Sequence, residues 1–173
     1  VYTIAEEKPN ILWFGTRGAG LYRYNSLSQS IEMHFSTQSD LPKRLNNDDV
    51  LSLLIDQIKN KIWVGTSGGL NQISIENKPY EAKSYTAKEG LPNQTIHAIL
   101  LAPDNSLWLS TNKGLGIYDP AAKKYKLFDS NDGLLNNEYT DGASFHAERT
   151  DKLYFGGING LDIIYPLKME IIS

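Results

Sequence analysis

A short phrase recurs four times along the chain and constrains the fold more than any other feature. It begins with an aromatic residue beside a small pair and ends in Gly-Leu: LWFGTRGAGL (12–21), IWVGTSGGL (62–70), LWLSTNKGL (107–115) and LYFGGINGL (153–161). The aromatic anchors of these phrases lie 50, 45 and 46 residues apart. Periods of about 40–50 residues are typical of solenoids built from helical pairs and of β-propeller blades.

The segments around each phrase favour strands over helices. Short runs rich in β-branched and aromatic residues, such as VLSLLID (50–56) and IHAILLA (96–102), alternate with turns rich in Asn, Asp and Gly. No run keeps a helical apolar period over the roughly 10–12 residues that a helix needs. With about four such runs per repeat, the sequence predicts an all-β fold, a β-propeller fragment of about four four-stranded antiparallel blades. The predicted blades are roughly 1–49, 50–95, 96–141 and 142–173.

The repetition of the phrase has a structural interpretation. Side chains alternate along a strand, so each aromatic anchor lies on one face, where its ring can pack between neighbouring blades. We therefore interpret the four anchors as structural: Trp13, Trp63, Trp108 and Tyr154. The glycine near the end of each phrase supplies a turn conformation that a residue with a Cβ resists. These glycines are Gly20, Gly69, Gly114 and Gly160.

The composition excludes several functional classes. Among the 173 residues, the net charge is −3 and the basic residues form no dense stripe, so we expect no nucleic-acid partner. The chain has no cysteine, which excludes disulfides, thiol nucleophiles and cysteine-based zinc sites. No apolar run approaches the roughly 18 residues that span a bilayer. We therefore expect no membrane contact within this segment.

The repeats resemble those of the two-component regulator propeller family. The resemblance rests on KIWVGTSGGLNQISIENKPYEAKSYTAKEGLPNQ (61–94) and SLWLSTNKGLGIYDPAAKKYKLFDSNDGLLNNE (106–138), and it extends over essentially the whole chain. Three copies depart from the family pattern: the first carries one extra residue in GTRGAGL, Ser110 replaces the usual Gly in the third, and Gly157 replaces the usual Thr in the fourth. In this family such repeats form the extracytoplasmic sensor of hybrid two-component histidine kinases of the Bacteroidetes type.

The resemblance implies a function. It implies a non-catalytic, periplasmic sensor segment, without a cofactor, in an inner-membrane receptor whose parent chain is a histidine kinase. Many receptors of this family control genes for glycan degradation, so a glycan or oligosaccharide is the implied ligand. The implied partners are the remaining propeller blades and a β-sandwich of the parent receptor.

Four blades form an open arc rather than a closed ring. An open arc exposes two blade faces with apolar surface that monomers rarely tolerate. We therefore expect these 173 residues to form a homo-oligomer or to pack against the missing blades. The last blade also lacks an outer strand unless KMEIIS (168–173) supplies it.

In propellers, the loops between blades gather at one end, together with the turns between second and third strands. In this chain these segments carry amide and charged side chains, which suit sugar hydroxyls and acidic sugars. The candidate ligand face comprises Arg17, Asn47, Asp48, Asn93, Gln94, Asn112, Lys113, Asn136, Asn137, Glu138 and Asn159. The alternative is that the Asn and Asp residues simply form turns.

No catalytic or metal site is predicted. His34, His97 and His146 lie in three different strand runs without the spacing of a metal motif, and we interpret them as partly buried, hydrogen-bonded histidines. Two other functions stay open. One is a lyase-like propeller enzyme, which needs a catalytic histidine and acidic neighbours at the central face. The other is a pure protein-interaction scaffold.

Overall fold

The structure of the protein, a computed structural model, describes residues 1–40, 42–92 and 94–166. In these ranges the chain forms four antiparallel sheets in chain order, three with four strands and the last with three. The strands are β1 (Thr3–Lys8), β2 (Ile11–Gly15), β3 (Leu21–Asn25), β4 (Ser30–Phe35), β5 (Val50–Asp56), β6 (Lys61–Thr66), β7 (Gly69–Ser74), β8 (Glu81–Tyr85), β9 (Ile96–Leu101), β10 (Leu107–Thr111), β11 (Gly114–Asp119), β12 (Lys124–Phe128), β13 (Tyr139–Ala147), β14 (Lys152–Gly157) and β15 (Gly160–Ile164). Two single 3-10 turns, Ala87–Glu89 and Ser130–Asp132, precede the loops that enter blades 3 and 4.

Each sheet pairs its strands in the order in which they follow along the chain. The first strand of each sheet lies beside the first strand of the next, so β1, β5, β9 and β13 are the innermost strands. A series of four-stranded meanders arranged around their first strands is the architecture of a β-propeller. The predicted fold class is confirmed, and we number the sheets as blades 1 to 4.

The first strand of the last blade begins earlier than the expected blade start. Strand β13 begins at Tyr139, before the expected blade start at 142, because it resumes pairing with β14 beyond a register irregularity between Tyr139 and Ser144. The predicted outer strand at 168–173 lies outside the described residues. In the described part of the chain, blade 4 ends at β15.

The tryptophan anchors are buried between blades, as predicted. The exposed fractions of Trp13, Trp63 and Trp108 are 0%, 4% and 1%. Trp13 joins an apolar cluster shared by blades 1 and 2, and Trp108 joins one shared by blades 3 and 4. Tyr154 is half-buried on the far face of blade 4, where its nearest ring is that of Phe145, at a centroid distance of 6.4 Å.

The turn glycines adopt the conformation that the sequence predicted. Gly114 has φ 122°, and a Cβ at this position would collide with the carbonyl oxygen of Phe128 on the neighbouring strand. Gly20, with φ 76°, stands in the same relation to Phe35. Any larger residue would therefore meet both a strained backbone and a steric clash.

The two ends of the arc are apolar and exposed. On the outer face of blade 1, Ile4 and Ile31 are each 61% exposed. On the outer face of blade 4, Phe145 is 65% exposed and Leu161 is 52% exposed. Within the described residues, these two end faces are the blade surfaces that no other blade covers.

Candidate functional site

The turns between second and third strands meet the inter-blade loops at one end of the sheets. The amide of Gly20 donates to the carbonyl of Asp48 at 2.9 Å, which joins a turn of blade 1 to the loop before blade 2. The hydroxyl of Thr95 donates to the carbonyl of Ser67 at 3.3 Å, which joins the next loop to a turn of blade 2. We call this end of the arc the loop end. The structure thus brings the two predicted sets of segments together.

Three predicted residues of the loop end lie on turns with exposed side chains. Arg17 donates from Nη1 to the Tyr2 hydroxyl at 2.9 Å, and its guanidinium lies 5.8 Å from the centroid of the Tyr2 ring. Asn112 and Lys113 occupy the turn between β10 and β11, and both are exposed. Their charged and amide groups are accessible to a solute at this end.

Asn47 and Asp48 are occupied by contacts inside their own loop. The carboxylate of Asp48 accepts hydrogen bonds from the Thr37 amide at 2.7 Å and the Thr37 hydroxyl at 2.6 Å. The Asn47 side chain accepts from the Asp49 amide at 2.8 Å. These bonds shape the loop between blades 1 and 2, as the alternative interpretation of turn formation expects.

Asn136 requires a correction, because its side chain is fully buried. It donates from Nδ2 to Asp162 at 2.8 Å and accepts from the Asn159 amide at 2.7 Å. Asp162 also accepts from the Tyr139 hydroxyl at 2.8 Å, and burial together with this carboxylate raises the pKa of Tyr139. Asn136 therefore supports the loop from inside and does not line the ligand face.

The remaining predicted residues divide between loop contacts and solvent. Gln94 donates to the Tyr125 hydroxyl, and burial raises the pKa of Tyr125 to about 12. Asn137 accepts from the Ser130 amide at 2.8 Å. The side chains of Glu138 and Asn159 are exposed, and Asn93 lies outside the described residues.

One polar pair at the loop end was not predicted as a site. His97 on β9 and Asp141 on β13 join blades 3 and 4, with 2.5 Å between Nδ1 and Oδ1. The other ring nitrogen of His97, Nε2, contacts Oδ1 of Asn112. The residues are 44 positions apart in the sequence, so no local spacing signals the pair.

The other two histidines make fewer contacts. His34 is exposed, stacks on Tyr22 at 4.3 Å between ring centroids, and hydrogen-bonds the Ala19 carbonyl at 2.9 Å. His146 is half-buried, and within the described residues its Nε2 has no hydrogen-bond partner. The expected hydrogen bonds are thus confirmed for His34 and His97, while burial is confirmed for His97 and His146.

Residues 1–40, 42–92 and 94–166 contain no group of three or more His, Cys, Asp or Glu side chains arranged to hold a metal ion. In the same ranges, no helix has the length and apolar character needed to cross a membrane.

The fold and the polar loop end define the chain as a segment of a β-propeller. Residues 90–113 match the model of the two component regulator propeller family. The resemblance expected from the repeated phrase is therefore confirmed.

Proteins with longer chains resemble this one in sequence and in fold. The chain is 27% identical to histidine kinase P4 of Formosa agariphila, over 99% of its own length and 16% of the kinase. It superposes with a TM-score of 0.78 and 25% identity on the extracellular domain of BT3049, classed as a hybrid two component system of B. thetaiotaomicron. That match covers 98% of this chain and 22% of the larger one.

A second extracellular domain from B. thetaiotaomicron, BT4673, gives a TM-score of 0.72 at 22% identity. It covers 99% of this chain and 23% of its own, and at this identity it bears on the fold alone. The chain thus resembles extracellular domains of hybrid two-component systems and spans less than a quarter of these relatives.

Proposed function

We propose that this chain is a non-catalytic, extracytoplasmic sensor segment of a hybrid two-component receptor and that its ligand is an oligosaccharide. The observation that carries the first part is the match over 98% of the chain to the extracellular domain of such a system. The parent protein would then be a histidine kinase in the inner membrane, with this segment on the periplasmic side.

The loop end supports the second part of the proposal. Side chains that donate several hydrogen bonds suit sugar hydroxyls and acidic sugars. Arg17 presents a planar guanidinium and Lys113 an ammonium group on exposed turns of two different blades. A sensor also requires that the ligand bind one arrangement of the receptor more tightly than another. A ligand that contacts turns of several blades would meet this requirement.

A binding titration tests the proposal. The chain is titrated with a panel of neutral and uronate-containing oligosaccharides by isothermal calorimetry. We expect at least one member of the panel to bind, and we expect the double variant Arg17→Ala/Lys113→Ala to bind it at least about tenfold more weakly. That factor corresponds to about 1.4 kcal/mol of binding free energy.

A charge-matched control accompanies the double variant. Lys59→Ala/Lys124→Ala removes two exposed positive charges from the opposite end of blades 2 and 3, one in the turn after β5 and one at the start of β12, and should leave the affinity unchanged. Equal losses in the two double variants would show a general charge effect and would contradict a site at the loop end.

The lyase-like alternative gains one observation from the structure. His97 and Asp141 form the histidine and acidic neighbour that such an enzyme needs near its central face. The match over 98% of the chain to the extracellular domain of a two component system supports binding rather than turnover. We therefore favour binding over turnover, and product analysis of the same oligosaccharide panel separates the two functions.

We also propose that the two end faces pack against other blades, either in the parent receptor or in a second copy of this chain. The exposed Ile4 and Ile31 at one end, and Phe145 and Leu161 at the other, support this proposal. Light scattering tests the second-copy form: we expect a mass above that of the monomer. A monomeric mass together with a cooperative melt would contradict it.

A further inference from the structure

His97 and Asp141 both lie where the pairing of an innermost strand is irregular. Strand β9 pairs Ala98 with Ser110 and Ile96 with Thr111, so His97 is the extra residue of a β-bulge. Asp141 falls inside the irregular stretch of β13 between Tyr139 and Ser144. Bulges redirect side chains and are over-represented beside functional sites. The two irregularities aim these side chains at each other across the boundary between blades 3 and 4.

The fold does not require a polar residue at such a bulge. Blade 2 has an equivalent irregularity, since β5 pairs Val50 with Thr66 and Ser52 with Gly65. The extra residue there is Leu51, an apolar side chain that is only 6% exposed. An apolar residue therefore satisfies this position elsewhere in the same arc, and the imidazole of blade 3 needs a different explanation.

The hydrogen bonds of His97 leave two polar groups that a ligand can reach. Its Nδ1 contacts Oδ1 of Asp141 and its Nε2 contacts the side chain of Asn112, and each ring nitrogen donates or accepts according to the tautomer. Within the described residues, Oδ2 of Asp141 accepts no hydrogen bond, and the single hydrogen bond of the Asn112 side chain is the one to His97. Asn112 is exposed, so a solute can take its place at Nε2.

We propose that His97 and Asp141 form a subsite for the hydroxyl groups of a neutral sugar residue. One hydroxyl, which can both donate and accept, hydrogen-bonds Nε2 of His97 in place of the Asn112 side chain, and that hydroxyl or its neighbour donates to Oδ2 of Asp141. The subsite rests on the proposed function, since it assigns residues and a ligand class to the same loop end. The carboxylate of Asp141 would repel the carboxylate of a uronate, so the pair favours a neutral sugar.

Nuclear magnetic resonance of the imidazole groups tests the subsite directly. The chain has three histidines, in three different environments, so each ring provides its own signal. The probes are neutral gluco-, galacto-, manno- and xylo-oligosaccharides and a uronate oligomer, added separately. We expect the neutral oligosaccharide that binds to shift the His97 signals and to leave those of His34 and His146 in place.

Three variants distinguish ligand binding from a purely structural role of these residues between blades 3 and 4. We expect His97→Gln and Asp141→Asn to weaken the affinity for that oligosaccharide about tenfold, the effect of losing one or two hydrogen bonds. Asn112→Ala should bind it equally well or more tightly, because this change removes the group that competes for Nε2. If His97, Asp141 and Asn112 only held the two blades together, deleting the Asn112 side chain would not strengthen the binding of the oligosaccharide.

His146→Gln is the matched control, because it replaces another half-buried histidine, one that also lies close to an acidic residue. Its Nε2 is 4.0 Å from Asp151, and the affinity should not change. Affinities are compared at a temperature below the melting transition of every variant.

The possible outcomes distinguish the two proposals. An oligosaccharide that binds without moving the His97 signals, and with equal affinity for all variants, overturns the subsite and leaves the proposed function intact. Preferential binding of the uronate oligomer overturns the assignment to neutral sugars. If none of the oligosaccharides binds the unmodified chain, the proposed glycan function fails, and the subsite fails with it.

Discussion

The boundary between blades 1 and 2 and the boundary between blades 3 and 4 each bury a tryptophan anchor, but the surroundings are ionic at the first and apolar at the second. At the first boundary, the indole of Trp13 donates to the carboxylate of Glu7 at 2.8 Å, and Arg23 binds the same carboxylate at 2.8 and 2.9 Å. Arg23 also contacts Glu32, and its guanidinium lies 5.6 Å from the centroid of the Tyr80 ring. This boundary contains a buried ionic network.

The second boundary is apolar at the matching positions. Ile117 pairs with Trp108 where Arg23 pairs with Trp13. Ala102 lies six residues before Trp108, as Glu7 lies six residues before Trp13. The ring of Trp108 stacks on Phe128 at a centroid distance of 6.1 Å. Its indole nitrogen is buried, and it has no hydrogen-bond partner within the described residues.

The difference shows that the repeated phrase determines where the anchor lies but not which interactions hold it. Buried ion pairs contribute little net stability, because desolvation offsets the attraction between the charges. Removing one partner is nevertheless costly, since it leaves a charge buried and unpaired. The two boundaries should therefore differ in their sensitivity to substitution and to pH more than in their total stability.

The largest expected effect is that of Arg23→Ala. It leaves the carboxylate of Glu7, which is 7% exposed, with the Trp13 indole as its remaining buried donor. We expect the free energy of unfolding to fall by about 3–5 kcal/mol in urea titrations. The matched change Ile117→Ala should cost only about 1 kcal/mol, because that side chain is half-buried and apolar. Similar losses for the two variants would contradict the contrast between the boundaries.

A second pair of variants isolates the anchor itself. Trp13→Phe removes an indole donor that Glu7 uses, whereas Trp108→Phe removes one without a partner in the described chain. We expect Trp13→Phe to cost about 1–3 kcal/mol more than Trp108→Phe in the free energy of unfolding, the cost of an unsatisfied buried group. Equal costs would indicate that the two indole groups have equivalent partners.

The ionic boundary should also respond to acid. Burial alone would raise the pKa of Glu7, but hydrogen bonds from Arg23 and Trp13 outweigh it and hold the pKa below the usual value of 4.5. The lowered pKa stabilises the folded chain above pH 4.5, and this contribution is lost as the pH falls through the folded-state value. Urea titrations at a series of pH values should show a smaller acid-dependent loss in Glu7→Gln than in the unmodified chain. The same acid dependence in both would exclude Glu7 as its source.

The smallest expected effect concerns the exposed lysines that lie over aromatic rings. Lys126 lies 4.6 Å from the centroid of Phe128, and Lys83 lies 4.7 Å from that of Tyr85. We expect Lys126→Ala and Lys83→Ala each to lower the free energy of unfolding by about 0.5 kcal/mol. A much larger loss for Lys126→Ala would mean that the boundary between blades 3 and 4 depends on a cation after all.

Local patterns predicted much of the fold and some of the loop end. Trp13, Trp63 and Trp108 were identifiable because strand alternation and a regular repeat place them on equivalent faces. Gly114 was identifiable because it ends the repeated phrase at a turn, and its positive φ is one that glycine adopts without strain. The burial of Asn136 was not, since an Asn in a loop can equally face solvent, and only the position of Asp162 from a later strand draws it inward.

The sequence by itself determined the repeat, the strands, the turns and the anchor positions, because each depends on residues that are close together in the chain. The tertiary structure alone decided which side chains meet: Glu7 with Arg23 at a separation of 16 residues, and His97 with Asp141 at 44. These contacts depend on strand register, on two bulges and on how one blade lies against the next. A shift of one residue in register turns a side chain to the other face of its sheet, so no local pattern specifies such pairs.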